Sequence, residues 1–182
     1  PAAADVAALE QDRWFRLLTL LAVPVQYATL AWSLQHWAQA PFSLAGSIGW
    51  LASLGVVGGV LAINVAHELI DKETRLERAA GGLLLASVGY HGFKVEQVHG
   101  HHVHVSTPED ASSARLGQSL WHFLPRALLR NTANGWRLEA ARLARLGKPW
   151  WHWRNELLGW TLLWLALAAA AWAWLGNAGL VA

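Results

Sequence analysis

Residues 17–67 read LLTLLAVPVQYATLAWSLQHWAQAPFSLAGSIGWLASLGVVGGVLAINVAH, and from Leu17 to His67 there is no Lys, Arg, Asp or Glu. A membrane span needs about 20 apolar residues, each rising about 1.5 Å. The run is therefore long enough for two spans. Its most polar part is the middle, Gln35-His36-Trp37-Ala38-Gln39-Ala40-Pro41, which also carries a proline. This predicts a helical hairpin: residues 14–37, a short turn, then residues 42–66. Trp14, Trp37 and Trp50 fall near its ends, where amphipathic rings favour the headgroup layer. Gly55, Gly58 and Gly59 give the second arm a small-residue face for close helix packing. A soluble helix would carry a charged face, and neither arm has one.

The rest of the chain repeats the contrast. Residues 157–182 are again free of charge, and 157–175 reads as a last span with Trp160, Trp164, Trp172 and Trp174. Every Lys and Arg is Arg13, Arg16 or lies between Lys72 and Arg154. The 182 residues are 54% hydrophobic and only 14% charged, with formal net charge +2; an ordinary soluble domain is about 25% charged. The length suits a single membrane domain over residues 1–182. Basic clusters beside such apolar runs point to a membrane and not to nucleic acid. There are 13 Trp and no Cys, which excludes disulfides, thiolate metal sites and a cysteine nucleophile. Any metal must use His, carboxylate or carbonyl ligands. The start, PAAADVAALEQDRW, is polar and mildly acidic and shows no signal peptide. Pro1 fits either loss of an initiator Met or a piece of a longer parent.

A third apolar run, residues 79–93, lies between Arg78 and Lys94 and is short for a span. If it crossed, the basic residues from Lys94 to Arg154 would lie outside, against the positive-inside rule. It is therefore expected to be shallow, re-entrant or buried in protein. Residues 114–147 read as amphipathic helices with basic faces, suited to the cytoplasmic membrane surface. Ser106-Thr107-Pro108-Glu109-Asp110 reads as a helix start, with a hydroxyl cap, Pro in the first turn and acids at the positive dipole end. The expected topology places the N-terminus and residues 67–154 in the cytoplasm, and the hairpin turn and C-terminus outside. The fold class is all-α integral membrane: about three transmembrane helices plus short re-entrant and amphipathic cytoplasmic helices.

The chemistry-bearing residues concentrate in residues 67–154. Of nine His, six fall in or near two segments. These are His67-Glu68-Leu69-Ile70-Asp71-Lys72, and the stretch from His91 through Glu96-Gln97-Val98-His99-Gly100-His101-His102-Val103-His104. His67 and Asp71, four apart, share a helix face, and imidazole with carboxylate suits iron, manganese or zinc. Glu68 stands where HExxH zinc peptidases carry a general base, but that pattern needs His at 71, where Asp stands. His101 and His102 point about 100° apart on a helix. That suits two neighbouring metals, or one metal and an outer role. His99 and His104 either add ligands or face water, and the whole cluster also fits solvated interfacial histidines without metal. His36, His122 and His152 read as interfacial or packing residues.

Three stretches together are specific. They are His67-Glu68-Leu69-Ile70 with Lys72; Glu96-x-Val98-His99-Gly100-His101-His102; and Thr107-Pro108-Glu109-Asp110-x-Ser112-x-Ala114-Arg115-x-Gly117-x-Ser119. The set resembles the bacterial membrane alkane monooxygenases, a family related to xylene monooxygenase and the membrane fatty-acid desaturases. The likeness spans residues 64–119, with weaker similarity at 136–145 and at Asn155-Glu156. It implies a helical inner-membrane enzyme with a non-haem di-iron site held largely by His on the cytoplasmic side. It further implies O2-dependent hydroxylation of a terminal C–H bond, a hydrophobic substrate between the helices, and a rubredoxin-type electron donor.

This chain departs from the family pattern. HExxH supplies His67, but its second His is Asp71. EHxxGHH supplies His101 and His102 with Glu96 alongside, but its first His is Gln97. The family's HYG-like and RHxxHH-like segments are missing from this sequence, and a single hairpin precedes His67 where the family has a second. The resemblance thus implies a partial metal site at His67, Asp71, His101 and His102. Glu68, Glu96, Gln97, His99 and His104 stand behind it as outer or further candidates. The site would hold iron or none. The expectation is an alkane-monooxygenase-like protein, multi-pass in the bacterial inner membrane, with an incomplete di-iron-type site and no catalysis as it stands. Two alternatives remain: a fragment of an active hydroxylase, and a structural or lipid-binding subunit of a larger membrane complex. Its partners would be membrane lipid, a hydrophobic substrate, a rubredoxin-type donor and other membrane subunits, but not nucleic acid.

Overall fold

The computed structural model describes residues 12–181; residues 1–11, which hold most of the polar start, and Ala182 lie outside the described residues. The described residues are helical, with no strand. Helix α1 runs Arg13–Gln39, its first turn capped by Asp12, whose Oδ1 accepts the Trp14 N–H at 2.8 Å. Ala40 and Pro41 make the turn. Ser43 then caps α2, which runs Leu44–Ile70 and contains a π-type stretch, Gly58–Asn64. Helix α3 is Arg75–Ser87. Helix α4 has three continuous parts: Gly92–Glu96, a π-type stretch Gln97–His101, and His102–His104. Helix α5 is Leu120–Arg145, α6 is Glu156–Leu175, and a short α7 is Ala178–Val181.

Helices α1, α2 and α6 are long and apolar enough to cross a membrane, so the all-α membrane fold with three spans expected from the sequence is what the structure shows. The three carry bare hydrocarbon on their surfaces: Leu44 is 80% exposed, Val56 67% and Leu162 65%. In water each would forfeit about 25 cal/mol per Å² of apolar surface; against acyl chains the cost vanishes.

Helix α3 is the third apolar run, and it is buried in protein. Leu84 and Leu85 join Ala62, Ala66, Leu69, Ile70 and Phe93 in the core. Gly81 allows the approach of α2, because a Cβ there would meet Ile70 Cγ2 at 2.7 Å. Gly82 admits Trp160 of α6, whose ring fills the space a Cβ there would take. Polar ties hold the other face to α1: Tyr27 donates to the Leu83 carbonyl at 3.0 Å, Gln26 donates to Ser87 at 3.2 Å, and Arg16 pairs with Glu77 at 3.2 Å.

Some local expectations are corrected. Of the small-residue face on α2, Gly58 is used, against Val88; among the described residues nothing lies within 4 Å of a Cβ on Gly55 or Gly59. Ser106-Thr107-Pro108-Glu109-Asp110 starts no helix. Ser106 takes a left-handed φ of 65°, and the carboxylate of Asp110 is spent inside the protein and does not face a helix end. The cap of α5 is Ser119, so residues 114–119 are not helical and a single helix comes after them. Near the hairpin turn the aromatic rings pack on one another, Trp50 lying on His36 with ring centroids 4.9 Å apart. His36 is thus a packing residue, also stacked on Trp32 at 5.6 Å.

Candidate functional site

Helix α2 ends at Ile70, so its last turn carries His67, with Asp71 at the C-cap. Helix α4 meets it from the other side. The first part of α4 is pinned to α5 by two glycines: a Cβ on Gly135 would lie 2.6 Å from the Gly92 carbonyl oxygen. The π-type stretch then orients the second half of α4. The His102 N–H reaches the Gln97 carbonyl, and in a π turn residues five apart stack on one side. Gln97 and His102 therefore face the same way.

The result is a bridge. Gln97 Nε2 lies 2.7 Å from His67 Nε2 and 3.0 Å from His102 Nε2. An amide can bond two rings at once, and Gln97 thereby links one ring nitrogen of each imidazole. Gln97 is buried at 2% exposure. Asp71 Oδ2 stands 3.9 Å from His102 Nε2 at the edge of this group.

His101 goes elsewhere, as adjacency on a helix requires. Its Nδ1 donates to Asp110 Oδ2 at 2.9 Å. The Asp110 side chain is fully buried and also accepts from the Ser112 N–H at 2.8 Å and the Ser113 hydroxyl at 2.5 Å. Burial pushes the Asp110 carboxyl up, but these hydrogen bonds outweigh it and hold the group below the usual value. Glu96 is the opposite case: burial, then the charge of Asp110, push its carboxyl above the usual value, with His101 pulling back. Among the described residues its Oε2 has no hydrogen-bond partner. Gly100 is needed beside it, since a Cβ there would meet Glu96 Oε1 at 2.8 Å.

The structure therefore brings His67, Gln97, His102 and Asp71 together and sets His101 in a second group with Asp110 and Glu96. Glu68 points away and pairs with Lys72. His99 and His104 are exposed. Sequence reasoning missed Asp110, which it placed at a helix start. The Asp-x-Ser pattern was the available signal, because such an aspartate accepts the N–H two residues on. It also missed the support behind Asp110, where Asn131 donates to Tyr90 at 2.9 Å and to Ser112 at 3.1 Å.

The donor set bears on the metal directly. Among the described residues no three His, Asp or Glu side chains converge in an arrangement that could hold a metal ion. The Nε2 atoms of His67 and His102 both lie against the Gln97 side-chain amide. On this donor set alone, the described residues supply fewer ligands than a di-iron centre takes.

A family model described as fatty acid desaturase matches residues 41–182. The chain belongs to this family. Within the fatty acid desaturase family it is alkane-monooxygenase-like. It is 51% identical over 180 residues to alkane 1-monooxygenase 2 of Pseudomonas aeruginosa, covering 96% of this chain and 47% of that protein. It is 54% identical over 172 residues to alkane 1-monooxygenase 1 of the same organism, covering 90% and 44%. It is 30% identical over 127 residues to the xylene/toluene monooxygenase hydroxylase component of Pseudomonas putida, covering 70% and 34%. This desaturase-family chain thus spans about half the length of the two alkane monooxygenases or less.

Proposed function

We propose that this chain is an alkane-monooxygenase-like integral membrane protein whose His-rich, di-iron-type site is incomplete, and that it is not catalytic as it stands. The observation that carries the reading is the Gln97 amide between His67 and His102. A carboxamide nitrogen is a donor and not a ligand at neutral pH. It stands against both ring nitrogens where the family pattern has an imidazole, and its neutral carbonyl oxygen is a weaker donor to iron than an imidazole would be. The protein sits in the bacterial inner membrane as one multi-pass domain, with these residues on the cytoplasmic side. Basic residues between Lys72 and Arg154 support that orientation.

A second reading is favoured by the length relation. Spanning about half of its relatives, the chain would be part of a longer O2-dependent hydroxylase of alkanes or other hydrophobic substrates. Further ligands and a rubredoxin-type donor would then come from beyond these residues.

Metal analysis of the purified chain tests the first reading. Less than one iron per ten chains, and no gain on anaerobic incubation with ferrous salt, is the expected result. Stoichiometric iron with donor-dependent hydroxylation would overturn it in favour of the second.

A further inference from the structure

The loop between α5 and α6 exposes more aromatic surface than a connection of its length can hold in water without cost. Trp150 is 53% exposed, Trp151 64% and Trp153 79%, and Leu146 beside them is 53% exposed. These rings are not on a loose segment. Gly147, at φ +66°, ends α5 in a tight turn in which the Lys148 N–H returns to the Leu143 carbonyl at 2.9 Å. Asn155 is buried and ties the other end: its Nδ2 donates to the Trp150 carbonyl at 2.6 Å while its Oδ1 caps α6 through the Leu158 N–H. Arg142 donates to the Arg154 carbonyl at 2.8 Å, and buried Glu139 holds both Arg142 and the Glu156 N–H. Fixed, outward-facing Trp side chains are thus built in by buried polar groups.

Continuity with α6 decides what covers them. Glu156 begins a membrane-spanning helix, and Trp153 is three residues before it, no more than about 11 Å along the chain. Trp150 is drawn back to the same place by Asn155. The turn therefore lies where hydrocarbon meets headgroups, the layer that Trp prefers. The charges on it are positive: Lys148 and Arg154 are exposed, and the Arg154 guanidinium stacks on Trp153 at 5.2 Å.

We propose that residues 146–154 form an anchor for anionic phospholipid headgroups. Trp150, Trp151 and Trp153 embed at the glycerol level while Lys148 and Arg154 engage phosphate. The anchor sets the depth of α6, and through α5 the height of α4 with its histidines.

The chain has no Cys, so Leu146→Cys takes a single nitroxide. The full chain is placed in nanodiscs of phosphatidylcholine, or of phosphatidylcholine with phosphatidylglycerol. The label is expected to be accessible to oxygen and shielded from a water-soluble nickel relaxant, with shielding severalfold stronger in the anionic discs. Lys148→Gln with Arg154→Gln should erase that difference, and Trp151→Ala with Trp153→Ala should expose the label in both lipids. A label that is open to nickel in every disc overturns the proposal. So does one shielded to the same degree in both lipids, which would mean that anionic headgroups are not engaged.

Discussion

The Gly92 carbonyl oxygen lies 2.6 Å from where a Cβ on Gly135 would stand. Helices α4 and α5 touch there backbone to backbone, and this contact sets where Gln97 and His102 can reach. A methyl group at 135 must push the helices apart, and overpacking of this kind costs about 1–3 kcal/mol. Gly135→Ala is expected to lower the melting temperature in detergent. Gly55→Ala, where nothing lies within 4 Å, should leave it unchanged or raised. Equal losses from both would refute the assignment of α4–α5 as the tight crossing.

Gln97 joins α2 to α4 through two ring nitrogens. Gln97→Leu keeps bulk and removes both hydrogen bonds, for an expected loss of about 1–3 kcal/mol. Gln97→His replaces the donor with an imidazole beside His67, His102 and Asp71. Cobalt titration followed by visible absorption should show binding to this variant and none to the parent chain. Binding of the same strength to both would remove Gln97 as the obstacle.

Asp110 accepts three hydrogen bonds and holds residues 110–113 against His101. Asp110→Asn turns an NH2 toward one or more of these donors, at a cost on the order of 2 kcal/mol for a hydrogen bond to a charged group. Limited proteolysis between Val105 and Ser119 is expected to speed up while cleavage elsewhere stays the same. Unchanged kinetics would mean the loop is held by other contacts.

Glu139 accepts from Arg142 twice at 2.7 Å and from the Glu156 N–H at 2.8 Å. Burial pushes its carboxyl up, but these bonds prevail and hold it below the usual value. The unfolded chain therefore binds the proton first as acid is added. The stabilisation is present above the ordinary glutamate value, about 4.3, and is lost as pH falls through the lower folded value. Glu96, held above the usual value, works in the opposite sense. Melting temperature should fall from pH 5 toward pH 3, and Glu139→Gln should flatten part of that slope. A variant with the parent's slope would show that Glu139 does not titrate as described.

Much of this protein was legible in its residues because a bilayer imposes length and polarity, which are properties of the chain itself. The charge-free run 17–67 and the run 157–175 named the three long apolar helices to within a few residues, and the two histidine segments named the stretches from which the candidate site is drawn. The resemblance read from the sequence also implied that Asp71 and Gln97 stand where the family pattern has histidines. What Gln97 does there depended on the tertiary structure. A π-type stretch shifts the register of α4 by one residue, and glycine crossings at 81, 82, 92 and 135 set the approach of helices far apart in the chain. Neither leaves a periodic signal in hydropathy. The same holds for Asp110, whose burial arises from packing against α5. Composition determined that this chain lives in lipid; only backbone approach decided which of its imidazoles meet.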